Sequence, residues 1–128
     1  MKLRIRHNSI RLRLTQSEVA HFAEHGSIEE KLEFGPENNQ LIYTLVSANI
    51  EKIFAEYKDN EITVFVPNNS VQNWAASDKV GFEAEQDIGE GNQLRILVEK
   101  DYACLDRRDG DDDKDTFPHP GQKISTRC

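Results

Sequence analysis

The first fourteen residues alternate between apolar and charged. Leu3 and Ile5 are separated by Lys2, Arg4 and Arg6. After "HNS", Ile10, Leu12 and Leu14 are separated by Arg11 and Arg13. A period of two puts every second side chain on one face, so each run predicts a half-buried strand and the two together a hairpin. The period then lengthens. Thr15 with Glu18 three residues later is a capping-box pattern, in which hydroxyl and carboxylate each satisfy a free N–H at a helix start. Val19, Phe22 and Ala23 give the apolar stripe of an amphipathic helix, and Gly26 is placed to end it in a left-handed cap. Ile28, Leu32 and Phe34 mark a third strand, "GPENNQ" a turn and "LIYTLVS" a fourth strand.

The same grammar then recurs. "KIFAEYK" and "EITVFV" predict strands around the turn "DN", "PNNSVQNWAAS" a helix with the stripe Val71, Trp74 and Ala75, and "VGFEAEQ" and "QLRILVEK" two further strands. The two halves match at an offset of 52 residues: Asn8 falls on Asn60, Ile10 on Ile62, Leu12 on Val64, Val19 on Val71, Phe22 on Trp74 and Ile28 on Val80. Leu41 meets Leu94 at 53. Repeats of this kind imply a tandem ββαββ duplication, residues 1–49 and 50–101. Neither half is large enough to bury much core alone. The expected fold is therefore α+β, one pseudo-two-fold domain over residues 1–101. It is mainly antiparallel, an eight-stranded sandwich or barrel with two short helices. Residues 102–128 form an acidic, proline-containing extension.

Composition agrees with a folded chain. Of 128 residues, 37% are apolar and 30% charged, enough for one modest core and too apolar for a disordered chain. Two cysteines make no disulfide framework. Met1 leads straight into a strand pattern, with no signal-peptide features. No apolar run approaches the roughly 20 residues of a membrane span. The expectation is a cytoplasmic protein without a membrane partner.

Charge changes the picture more than composition does. The formal charge of −7 divides into +5 over residues 1–14, −10 over 15–100 and −2 over 101–128. An acidic whole argues against non-specific nucleic-acid binding. The basic start is the exception: alternation sets Lys2, Arg4, Arg6, Arg11 and Arg13 on one face of the first hairpin. Five neighbouring cations repel unless an anion lies across them. That anion is either acidic neighbouring strands, with Glu29, Glu33, Glu83 and Glu85 as candidates, or a phosphate or other polyanion suited to arginine's planar fork.

The second unusual stretch is "CLDRRDGDDDKDTFPHP". A calcium loop fails: counted from Asp106, position 3 is Arg108, the glycine comes one place early and no glutamate follows. Cys104 and His119 are a lone pair fifteen apart, weak for zinc. A metal site built from Cys104, Asp109, Asp111, Asp113 and His119 stays open beside a solvated charge run. Phe117 precedes two prolines in a stiff segment and suits docking, on its own fold or on a partner.

Catalytic constellations are missing: there is no G-x-S-x-G, no glycine-rich phosphate loop and no H-E-x-x-H. His21 and His25, spaced i, i+4, read as surface residues. Cys104 reads as a small buried hydrophobe. No cofactor is expected. The opening "IRHNSIRLRLTQSEV" with "ACLDRRDGDDDKDTFPHP" near the end resembles a small bacterial family of unknown function, common in Bacteroidetes-type genomes. The family has a glycine where this chain has His7. The resemblance implies one intact domain and no activity. The sequence thus points to a non-enzymatic binding or interaction module with a protein partner or a second copy. The alternative is a metal-dependent or phosphate-binding protein.

Overall fold

The computed structural model describes residues 1–102. Along them run β1 (Lys2–Arg6), β2 (Ser9–Leu14), α1 (Gln16–His25), β3 (Ser27–Gly35), β4 (Asn39–Ala48), β5 (Phe54–Lys58), β6 (Glu61–Pro67), α2 (Asn68–Ala75), β7 (Gly81–Gly89) and β8 (Asn92–Lys100). All ten are the elements expected from periodicity, and the architecture is α+β. The strands form two four-stranded sheets, ordered β1-β2-β8-β7 and β3-β4-β6-β5.

The sheets are mixed. Their hairpins are antiparallel, but β2 pairs with β8 in parallel, and so does β4 with β6. Each sheet therefore joins the first hairpin of one half to the second hairpin of the other. Registers correspond between halves. Lys2↔Arg13 and Arg6↔Ser9 in β1–β2 become Phe54↔Phe65 and Lys58↔Glu61 in β5–β6, each number raised by 52. Ser9↔Arg95 across β2·β8 becomes Glu61↔Ile42 across β6·β4. The irregularity between Glu33 and Gly35 in β3 recurs between Asp87 and Gly89 in β7.

One correspondence differs from the sequence reading. Ile28 faces Leu45, and Phe82 faces Val98, so Ile28 matches Phe82 rather than Val80. The cause is local. α1 turns directly into β3 through Gly26 at φ 85°, in the capping box's company: the Glu18 N–H donates to Thr15 Oγ1 (3.4 Å) and the Thr15 N–H to Glu18 Oε1 (2.9 Å). α2 has no side-chain cap and leaves through residues 76–80, a longer path that displaces β7 by two. Gly81 then opens β7 where a Cβ would lie 2.1 Å from the Val98 carbonyl oxygen. Only glycine permits that approach.

The core lies between the sheets and under the helices. Leu12, Leu14, Leu45, Val64, Val66, Ile96 and Val98 come from the four central strands, Phe22 from α1, and Val71 and Trp74 from α2. All are essentially fully buried. Phe22 and Trp74 meet edge to face at 6.5 Å, and Trp74 Nε1 donates to the Val80 carbonyl (2.9 Å), so its one polar atom is satisfied. The two sheets are also stitched along their edges. At the β5/β7 edge the Ala55 N–H donates to Gln86 Oε1 (2.7 Å) and Gln86 Nε2 to the Ala55 carbonyl (3.1 Å), imitating a strand pair with one side chain. At the β1/β3 edge the Met1 amino group donates to Glu18 and to Glu30 (3.0 Å), and the Tyr43 hydroxyl to the Met1 carbonyl (3.0 Å). Among the described residues no helix is long and apolar enough to cross a membrane.

Candidate functional site

The buried side of β2 is Ile10, Leu12 and Leu14, so Arg11 and Arg13 lie on the outer face of the first sheet. Register carries the same face onto the neighbouring strands. Arg4 stands opposite Arg11, and Lys2 opposite Arg13. Arg11 then neighbours Leu97, and Arg13 neighbours Glu99. The five cations expected together are together, on a surface two strands wide. Like charges directly opposite, as in Arg4↔Arg11, repel unless counter-ions lie beside them.

Beside Lys2, Arg11 and Arg13 the described carboxylates are not those the sequence suggested. Glu29 and Glu33 belong to the other sheet. Glu83 and Glu85 lie on β7, separated from β2 by β8, and Glu83 accepts from Arg95 (2.6 and 3.1 Å). Among the described residues, anions beside the hairpin include Glu99, at 3.6 Å from Arg11 and 3.5 Å from Arg13, and Asp101, at 3.0 Å from Lys2. These residues reach the hairpin only through the parallel β2·β8 pairing, for which sequence periodicity carries no signal. The outer face is thus polarised across the sheet, with cations on β1 and β2 and Glu83, Glu85 and Asp87 on β7.

The outer face of the second sheet makes the comparison. At the positions matching Lys2, Arg4, Arg6, Arg11 and Arg13 it carries Phe54, Glu56, Lys58, Thr63 and Phe65. Phe54 and Phe65 stack at 4.7 Å. The same strand pairing forms with aromatic and mixed residues there, so the fold does not itself require five cations.

At the edge beside β1, the Met1 amino group and Glu18 shift each other's titration. Burial depresses the amino pKa, but hydrogen bonds to Glu18 and Glu30 outweigh it and raise it above 8.0. Burial raises the Glu18 pKa, but its bonds to the amino group and Thr15 outweigh that and hold it below 4.5. Burial and the carboxylates Glu30 and Glu18 push the Tyr43 phenol up.

His21 and His25 are exposed and stacked at 4.3 Å, with His25 Nδ1 3.1 Å from the His21 carbonyl oxygen. Among the described residues no three His, Cys, Asp or Glu side chains are grouped to hold a metal ion. The proposed ligands Cys104, Asp109, Asp111, Asp113 and His119, and Phe117, lie outside the described residues. Sequence reasoning missed an apolar fringe: Ile5, Leu32, Phe34, Tyr57 and Ile88 are large, exposed and close to the hairpin tips. Leu32 and Phe34 had the period of core residues, but β3 runs past the helix-covered core before it turns.

No curated protein and no solved structure matches the chain. A family model does, over residues 1–121, so it extends through the acidic run and Phe117. The chain belongs to that family, DUF7009, a family of unknown function.

Proposed function

We propose that residues 1–101 are a non-enzymatic binding module, that residues 102–128 are its extension, and that the arginine face is the contact surface. Its occupant is an extended acidic segment of a protein. The observation that carries this is the asymmetry between matched faces: five cations on one sheet stand where the other has Phe54, Glu56, Lys58, Thr63 and Phe65. A cluster of five cations makes this outer face electropositive, which favours an anionic ligand. Arginine's fork suits carboxylates, and a two-stranded outer face suits an extended chain.

The same reading takes the two halves as a tandem ββαββ duplication whose copies diverged on their outer faces. The matched registers and irregularities support it.

The test is binding of a fluorescently labelled oligo-glutamate peptide to the full chain by anisotropy. Affinity should fall with added salt. The double variant Arg4→Gln, Arg11→Gln should bind at least tenfold more weakly, with its thermal midpoint retained. Equal binding by wild type and variant would refute the assignment of this face.

A further inference from the structure

We infer that His21 and His25 together hold one divalent transition-metal ion, of the Cu²⁺, Ni²⁺ and Zn²⁺ class, on the exposed side of α1. The pair belongs to a helix and not to the arginine face, so the inference goes beyond the binding-module reading and does not depend on it. Three observations carry it.

The first is spacing. The two residues stand i, i+4 on α1, which sets both side chains on one face, a turn apart. Their rings are stacked, with centroids 4.3 Å apart and planes inclined by 26°. A metal–imidazole bond is about 2.0–2.1 Å long, so two nitrogens on one ion lie roughly 3–4 Å apart. Rings already stacked at 4.3 Å meet that demand by small turns about χ2, with no change of backbone.

The second is the proton. His25 Nδ1 lies 3.1 Å from the His21 carbonyl oxygen, and a carbonyl only accepts, so Nδ1 carries the hydrogen. In the neutral ring the lone pair is then on Nε2. A histidine whose second nitrogen donates to a backbone carbonyl has its tautomer and ring direction set before an ion arrives.

The third is support. Both rings are exposed, so an ion reaches them without displacing protein. The backbone beneath them is held. Phe22 is fully buried, the Gly26 N–H donates to the Phe22 carbonyl (2.8 Å), and Gln72 Nε2 of α2 donates to the Ala23 carbonyl (3.3 Å). A chelate on a rigid turn loses little freedom when it closes. Two imidazoles select Cu²⁺, Ni²⁺ and Zn²⁺ over Mg²⁺ and Ca²⁺, which take oxygen ligands. Water completes the coordination.

The experiment titrates Ni²⁺ into the untagged full chain by calorimetry and follows the thermal midpoint with and without excess Ni²⁺. Wild type is compared with His21→Ala, with His25→Ala and with the double variant Cys104→Ala, His119→Ala. Alanine favours a helix and both rings are exposed, so the α1 variants should keep the metal-free midpoint. The expected affinity is about tenfold weaker in either α1 variant, since one imidazole alone forfeits the chelate, and unchanged in the Cys104, His119 variant. Ni²⁺ should raise the midpoint of wild type and of neither α1 variant, and Mg²⁺ should raise none.

Equal Ni²⁺ affinity in wild type and both α1 variants would overturn the inference. Loss of binding in the Cys104, His119 variant alone would also overturn it, by moving the ion to those residues. Loss in only one α1 variant would reduce the site to a single imidazole and end the chelate.

Discussion

His7 sits at φ 52°, in the left-handed region, between β1 and β2. A side chain there brings Cβ against the backbone and costs roughly 1–2 kcal/mol, a strain that glycine avoids. The turn keeps other ties: Ser9 Oγ donates to the Arg6 carbonyl (2.7 Å), and Asn8 Nδ2 to the Gln93 carbonyl (2.7 Å). None of these uses the His7 side chain, which is exposed. His7→Gly should therefore stabilise the protein by about 1 kcal/mol, after the extra freedom glycine gives the unfolded chain. Urea unfolding checks it: a lower midpoint at unchanged slope would mean that His7 makes a contact worth more than the strain. The turn at Asp59 and Asn60, at φ 52° and 65°, needs no such repair, because aspartate and asparagine tolerate this region.

At the scale of elements, Glu18 joins a helix to a sheet edge. Its carboxylate completes the α1 capping box and also accepts from the Met1 amino group, beside Glu30. The amino group's folded pKa is raised, so its contribution to stability is complete below 8.0 and is lost as pH rises through the folded value. The Glu18 pKa is lowered, so its contribution is complete above 4.5 and is lost as pH falls through the folded value. The pair is fully effective between those limits. Glu18→Gln keeps an N3 residue able to cap but removes the charge, and should flatten both flanks of the stability profile. A peptide extension at the amino end, which turns the ammonium into an amide, should remove the alkaline flank and weaken the acid one, because only the Thr15 bonds would still hold the Glu18 pKa down. An unaltered alkaline flank in both proteins would show that the ion pair does not act. The two jobs of Glu18 differ in legibility. The cap was readable, because Thr15 and Glu18 are three residues apart and the motif is local. The ammonium contact depends on β1 lying against α1 and β3, which no spacing encodes. Glu99 and Asp101 stayed hidden behind the arginines for the same reason: strand identity follows from local period, whereas strand neighbours follow from the packing of the whole chain.

At the scale of the molecule, neither half's two hairpins pair with each other. β1–β2 pairs with β8, and β3–β4 pairs with β6. A half taken alone would leave the inner edges of β2 and β4 without ladder partners. It would also strip Leu12 and Leu14 of Ile96 and Val98, and Leu45 of Val64 and Val66. The offset of 52 could be read from the sequence, but this exchange could not, because hairpins look alike whether they pair within a half or across halves. The exchange predicts the behaviour of a chain cut between Ile50 and Glu51, in the connection from β4 to β5. Fragment 1–50 should lack cooperative unfolding as a monomer, and so should fragment 51–128. Mixed, they should assemble one to one and recover the far-ultraviolet signal of the intact chain, with a midpoint that rises with concentration. Self-association of one fragment would fit as well, since a second copy's β4 could stand beside β2 where β8 does. A monomeric fragment 1–50 that unfolds cooperatively would contradict the pairing, because its β2 and β4 would then have found partners within their own half.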